Sequence, residues 1–248
     1  MSTNTLLKAL IEAGAGSRRS VAESIMQGKV RVNDTIIDNL KHPINTDKDS
    51  ITINNKPIKL NPKEIVCLML YKPRGVLSTT SDERGRPIVN DILPEEYRKL
   101  RLYPVGRLDK DTTGLLLLTN DGNLTYRLTH PRFEHDKEYY VRIEGSLKQE
   151  EKAKLEKGIR LEDGMTSPAK IKEINESPPF NYSLTIHEGR KRQVRRMFER
   201  LKHPVVELKR VRIGGLELGN LKEGEVRRLS REEIKKLPAL NNTEPFQT

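Results

Sequence analysis

Asp109 is the residue whose surroundings point most directly to chemistry. It lies in Gly106-Arg107-Leu108-Asp109-Lys110, a glycine-bounded turn with a basic residue on either side. The leucine run Leu115 to Leu118 follows, and Asn120-Asp121-Gly122 closes it with a hairpin-turn signal. The pattern predicts a turn, a buried strand over 115–119 and a second turn. Asp109 then stands just outside a core strand that can aim it. A carboxylate fixed among cations stays ionised and can serve as nucleophile or base. The same spacing also suits a structural turn aspartate paired with Arg107 or Lys110.

A second concentration of functional groups lies in Glu188-Gly189-Arg190-Lys191-Arg192-Gln193-Val194-Arg195-Arg196-Met197-Phe198. Val194, Met197, Phe198 and Leu201 recur at helical spacing and form one apolar face of a helix expected over 191–201. The arginines fall on the other sides, where they can meet phosphates or a carboxylate. Basic residues in a first helical turn oppose the helix dipole, so an anionic partner is expected there. Metal chemistry is not expected. One cysteine and five scattered histidines make no zinc spacing. Asp111 and Asp121 are separated by a strand about 20 Å long at roughly 3.3 Å per residue.

The elements that must position these groups are those of a basic, modestly apolar chain. Of its 248 residues 34% are hydrophobic and 33% charged, with a net charge of +11. Residues 186–231 hold 14 Lys/Arg against 6 Asp/Glu, so most of the excess is there. Such a balance points to a polyanion, most readily nucleic acid. Cys67, in an apolar run, is expected to be a buried small hydrophobe, and the lack of disulfide potential suits a reducing cytosol. No membrane span and no signal peptide are expected. Strands are predicted at 65–71, 115–119, 138–143, 183–187, 205–213 and 226–229, and a further helix at 149–157. That irregular alternation implies an α+β fold with a mainly antiparallel mixed sheet flanked by helices, not a Rossmann fold. No Gly-x-Gly-x-x-Gly or Walker sequence is present.

Residues 5–60 read as a separate module. Leu6, Leu7, Leu10 and Ile11 predict a helix stopped at Gly14 and Gly16. Ser17 is a candidate cap for a second helix, with Ser20 and Glu23 as a later capping-box alternative. Short strands follow at 30–32 and 51–53. Ala13-Gly14-x-x-Ser17-Arg18-Arg19 and Gly28-Lys29-Val30-x-Val32-Asn33 resemble the S4 RNA-binding domain. The resemblance implies RNA contacts from Arg18, Arg19, Lys29 and Arg31. Asp34 stands where that family usually has glycine, and its charge would weaken a local phosphate contact. The implied division is 1–61 for this module, a catalytic domain over 62–237 entered through a linker at 61–64, and a polar, mobile tail over 238–248.

The longer part resembles pseudouridine synthases of the RsuA/RluB type. The resemblance rests on Gly106-Arg107-Leu108-Asp109-x-x-Thr112-x-Gly114-Leu115, Tyr71-Lys72-Pro73-Arg74-Gly75 with Asp82-x-x-Gly85-Arg86-Pro87, Leu128-Thr129-His130-Pro131 with Lys137-x-Tyr139-x-Val141, and Gly189-Arg190-x-Arg192-Gln193-Val194-Arg195-Arg196-Met197. It implies that Asp109 is the catalytic carboxylate, that Tyr139 stacks on the target uracil, and that Arg195 pairs with Asp109. Val194 would lie beneath the base, Lys72 and Pro73 would shape the pocket wall, and Arg107, Arg190 and Arg192 would bind the substrate. It further implies isomerisation of uridine to pseudouridine in ribosomal RNA by base flipping. No cofactor and no metal would be needed. Relatives in that family with a Ser-Arg-Arg start to the second S4 helix act mostly on the large subunit, so the resemblance implies large-subunit (23S) RNA, with small-subunit (16S) RNA as the alternative. A monomer in the cytoplasm, with no membrane partner, is expected. A non-catalytic RNA-binding or ribosome-assembly protein, and a magnesium-dependent nuclease, are the readings from other classes.

Overall fold

The computed structural model of the chain describes residues 3–60 and 64–237. Most of the expected linker and the expected tail lie outside the described residues. The chain divides into two compact units, Met1–Ile65 and Val66–Thr248.

The first unit runs β1 (Thr3–Thr5), α1 (Leu6–Glu12), α2 (Arg18–Met26), β2 (Val30–Val32), β3 (Thr35–Ile36), β4 (Pro43–Asn45), β5 (Ile51–Ile53) and β6 (Lys56–Ile58). The Ser17 hydroxyl accepts the Ser20 amide at 3.0 Å, so α2 starts at the earlier of the two expected positions. Four antiparallel strands are ordered β3-β2-β5-β6, and β1 pairs with β4. Asn33-Asp34 and Asn54-Asn55 take left-handed backbone in the two hairpin turns, a conformation that asparagine and aspartate tolerate. Leu6, Leu10, Val21 and Ile25 pack against Val30, Val32 and Ile51 in the core.

The second unit runs β7 (Cys67–Lys72), α3 (Glu95–Arg98), β8 (Tyr103–Pro104), β9 (Thr113–Thr119), α4 (Gly122–Thr129), β10 (Lys137–Ile143), α5 (Gln149–Lys157), β11 (Arg160–Leu161), β12 (Gly164–Met165), β13 (Lys170–Glu173), β14 (Tyr182–Ile186), α6 (Gln193–Arg200), β15 (Val205–Ile213), β16 (Leu216–Glu217), β17 (Val226–Arg228) and α7 (Arg231–Lys235). The sheet order is β13-β14-β10-β15-β9-β7-β17, with β16 on β15 and β8 on β9. β9 and β15 are its parallel pair, with Lys209–Thr113 and Arg210–Gly114 in register. The unit is thus the expected α+β fold with a mainly antiparallel sheet.

Strand periodicity separates two cores. Leu68, Leu70, Leu116, Leu118, Tyr139, Val141 and Leu208 face the side covered by Leu155 of α5 and by Val194, Met197 and Phe198 of α6. Cys67, Met69, Leu115 and Leu117 face the other, with Leu124 and Leu128 of α4 and Ile234 of α7. Coverage on both faces explains why the leucine run is continuous rather than alternating. Burial pushes the Cys67 thiol up to about 12, so it stays protonated and inert.

Two local expectations are corrected. Asn120-Asp121-Gly122 is not a hairpin turn: the Asp121 carboxylate accepts the Asn123 amide at 2.8 Å and caps α4. Burial of Leu124 and Leu128 draws the following segment into a helix. In the basic segment α6 begins at Gln193, because Arg192 is left-handed at φ 50°. Arg190 and Lys191 therefore precede the helix instead of crowding its first turn.

Candidate active site

The loop that carries Asp109 is held by its backbone at successive residues. The Ser78 hydroxyl donates to Leu108 O at 3.0 Å and accepts the Leu108 amide at 3.1 Å. Gly75 N donates to Lys110 O at 2.8 Å, which ties the Lys72-Pro73-Arg74-Gly75 turn to the same loop. Thr112 N donates to Asp109 O at 3.1 Å, and the Arg195 guanidinium donates to Asp111 O at 3.0 Å. The Asp109 carboxylate itself has no hydrogen bond or ion pair among the described residues. It is half-buried, on a loop that leaves it little freedom.

The sheet register brings the other groups into line. Lys72 on β7 pairs with Gly114 on β9, Gly114 with Arg210 on β15, and Arg210 with Tyr139 on β10. All four positions share the parity of the residues that face the α5–α6 core. Three strand gaps at about 4.8 Å each put this row at roughly 14 Å from end to end. Gly114 makes it possible. A Cβ there would lie 2.2 Å from Arg210 O, and its φ is +101°. Past this point the parallel ladder ends, and Arg210 Nε takes the Leu115 carbonyl at 2.8 Å in place of a strand partner. A glycine inside a strand pattern is the signal that marks such a backbone approach.

Charge around the loop is dense. Lys72 is fully buried, donates to Pro73 O at 2.8 Å, and is pushed down by burial to about 8 despite the nearby charges of Asp111, Glu223 and Asp109. Lys137, two residues before Tyr139, is likewise lowered to about 8, by burial and then by Arg210. Tyr139 and Val194 are buried in the same core cluster as Leu108, which places the aromatic and apolar candidates beside the base of the loop. Arg107 is exposed at its rim.

Three arginine expectations change. The direct carboxylate partner of Arg195 is Asp111, not Asp109. Its Nε lies 3.2 Å from Asp111 Oδ2, close enough for an ion pair but not aligned as a hydrogen bond. Asp109 acts on Arg195 only through its charge; burial lowers the guanidinium, and the Asp111 and Asp109 charges oppose that. Arg192 grips Asp111 from the other side, Nη1 to Oδ1 at 3.0 Å and Nη2 to Oδ2 at 3.2 Å. Burial raises the Asp111 carboxyl, but the Arg192 bond and the two arginine charges outweigh it and leave the group lowered. Arg190 bonds to Glu188 Oε2 at 3.1 Å, to Asp163 O and Gly164 O at 3.2 and 3.3 Å, and to Met165 O. It clamps the β11–β12 hairpin, so its donors are taken by protein. Ser78 and the Asp111 bridge had no local sequence signal; both depend on contacts 30 or more residues apart.

In the first unit, Arg18 and Arg19 lie exposed in the opening turn of α2, and Lys29 and Arg31 lie exposed around β2. Arg31 donates to Asp34 O at 2.9 Å, so Asp34 engages this arginine through its backbone. Among the described residues no group of three or more His, Cys, Asp or Glu could hold a metal ion, and no helix is long and apolar enough to cross a membrane.

One pinned, unpaired carboxylate, a buried tyrosine in the adjoining core and a rim of cations suit nucleophilic or base chemistry on a nucleotide. Comparison with known proteins agrees. The family model for RNA pseudouridylate synthase matches residues 66–200. The chain is 45% identical to ribosomal large subunit pseudouridine synthase B of Bacillus subtilis (strain 168), over 95% of this chain and 96% of that one. It is 38% identical to an RNA pseudouridine synthase of Mycobacterium leprae over 94% of this chain and 91% of the relative. A crystal structure of a pseudouridylate synthase superposes with a TM-score of 0.67 at 34% identity, covering 94% of this chain and 98% of that one. A match across more than half the chain, with relatives similar over nearly all of it, means that this chain belongs to the RNA pseudouridylate synthase family.

Proposed function

We propose that the protein isomerises a uridine of large-subunit ribosomal RNA to pseudouridine, with Asp109 as the catalytic carboxylate. The observation that carries the reading is Asp109 itself: the backbone around it is pinned at Leu108, Lys110 and Asp111, while its carboxylate stays unpaired beside Lys72, Arg192 and Arg195. The 45% identity to a large-subunit synthase along nearly the whole chain supports the choice of RNA. Lone, buried Cys67 suits a reducing cytosol.

The target base leaves its stack, at a cost of a few kcal/mol. Tyr139 recovers part of that by stacking on the uracil, with Val194 as the apolar contact beneath it. Asp109 attacks the sugar or the base, or takes a sugar proton. By any of these routes the bond from N1 to C1′ breaks, the uracil turns, and C5 bonds to C1′. A proton leaves C5 and N1 gains one, so no electron is transferred. Lys72 and Pro73 form the wall, and Arg107 at the rim meets the extruded nucleotide. Arg192 and Arg195 act through Asp111, which locks the loop. In the first unit exposed Arg18, Arg19, Lys29 and Arg31 make the S4-type RNA contact.

The test is tritium release from C5-labelled ribosomal RNA by the wild type and by Asp109→Asn. Release from large-subunit RNA by the wild type alone, with RNA affinity kept in the variant, is the expected result. An active Asp109→Asn enzyme would overturn the assignment. Release from small-subunit RNA alone would overturn the choice of substrate.

A further inference from the structure

Tyr126 is the most exposed tyrosine or phenylalanine side chain among the described residues, at 46%. The chain has only seven tyrosines and four phenylalanines. Here one of them heads a cluster of rings and cations on α4 and the 3-10 turn Pro131–Phe133. The Tyr126 and His130 rings are 4.8 Å apart, and Tyr126 meets Phe133 edge-on at 6.1 Å. The Arg132 guanidinium lies 4.5 Å from the Phe133 centroid and 5.3 Å from that of Tyr126. His130 and Arg132 are exposed. Buried His135 fixes the segment by bonding to Arg127 O at 2.8 Å.

Both ends of this segment join the active site. A Cβ on Gly106, three residues before Asp109, would lie 3.5 Å from Thr129 Cγ2. At the other end Lys137 Nζ donates to His135 O at 3.2 Å, two residues before Tyr139. The core of the unit makes no use of the outer face of Tyr126. An exposed tyrosine beside arginine and histidine is the chemistry that binds an unpaired base: ring stacks on ring, and the guanidinium serves the plane or the phosphate.

We propose that Tyr126, His130 and Arg132 form a stacking seat for an unpaired RNA nucleotide that flanks the target uridine. The seat holds a neighbour in the strand while the uridine turns toward Asp109. This rests on the reading of the chain as a uridine isomerase acting on RNA.

The chain contains no tryptophan, so Tyr126→Trp installs a single fluorophore at the seat. Titration with single-stranded oligouridylate RNA and with a large-subunit RNA transcript is expected to quench it. Tyr126→Leu is expected to weaken binding of the transcript about five- to a hundredfold, the span found for one base stack. The loss should appear in KM with kcat kept, and Tyr126→Phe should restore affinity. An unquenched tryptophan in the saturated complex overturns the seat, as does Tyr126→Leu binding like wild type. Should Tyr126→Leu fail to fold, the tryptophan signal decides. Quenching with no tritium release by the wild type would sink the isomerase reading and keep the seat; release without quenching would do the reverse.

Discussion

Replacing Gly114 by alanine tests the geometry that aligns the site. The new Cβ would sit 2.2 Å from Arg210 O and 2.7 Å from Arg210 N. A carbon–oxygen contact needs about 3.3 Å, so β9 and β15 must part by about 1 Å. The φ of +101° adds strain, about 1–2 kcal/mol for a side chain in that region. Loss of the short parallel ladder removes one or two hydrogen bonds at about 1 kcal/mol each. The total is about 2–4 kcal/mol, a large share of the 5–15 kcal/mol typical of a domain. With a urea slope of about 2 kcal/mol/M the midpoint should fall by about 1–2 M. Gly145→Ala is the control, since Gly145 has φ +72° and nothing within 4 Å of a built Cβ. It carries the strain without the clash and should lose only about 1–2 kcal/mol. A shift of about 1 Å between Asp109 and Tyr139 should also lower kcat about a hundredfold at a temperature where the variant is folded. The reasoning is refuted if Gly114→Ala is no less stable than Gly145→Ala, or if it turns over normally.

Asp111→Asn leaves Arg192 and half-buried Arg195 without their carboxylate. Because Asp111 is one-third exposed, the stability loss should be about 1–2 kcal/mol, below that of a fully buried pair. Turnover should fall much more than RNA affinity does, read by single-turnover kinetics alongside filter binding; equal losses in both would show that Asp111 does not act through the catalytic loop. Lys72 gives a pH signature. Its native value of about 8 lies below the usual 10.5, so between those pH values the unfolded chain holds more protons and wild-type stability rises with pH. Below pH 8 the full cost of burying the cation is present. Relative to Lys72→Met, the wild type should therefore gain up to about 3 kcal/mol from pH 8 to 10.5, measured by urea unfolding. A difference that stays flat over that range would mean that Lys72 is not a desolvated cation.

Much of the fold can be read locally. The helical recurrence of Val194, Met197 and Phe198 needs only an i, i+3, i+4 pattern, and all three are buried under α6. Gln149–Lys157 is a helix over the residues expected. Strand ends shift by one or two residues, as at β9, which begins at Thr113. Helix α4 was hidden because aspartate followed by glycine suits a hairpin turn and a helix cap alike. The choice fell to Leu124 and Leu128, which reach the core only from a helix.

The chain sequence by itself determined most of the element types and the polyanion-seeking charge, because these follow from side-chain chemistry and short-range periodicity. Tertiary structure alone decided which arginine meets which aspartate. Asp109 and Asp111 are two residues apart, and no local rule separates them as partners for Arg195. The turn closed by Thr112 N on Asp109 O presents Asp111 to α6 and leaves the Asp109 carboxylate unpaired. The crossing of β9 and β15 at Gly114 is likewise a contact across nearly 100 residues. It depends on how two strands share hydrogen bonds, which neither strand can encode alone.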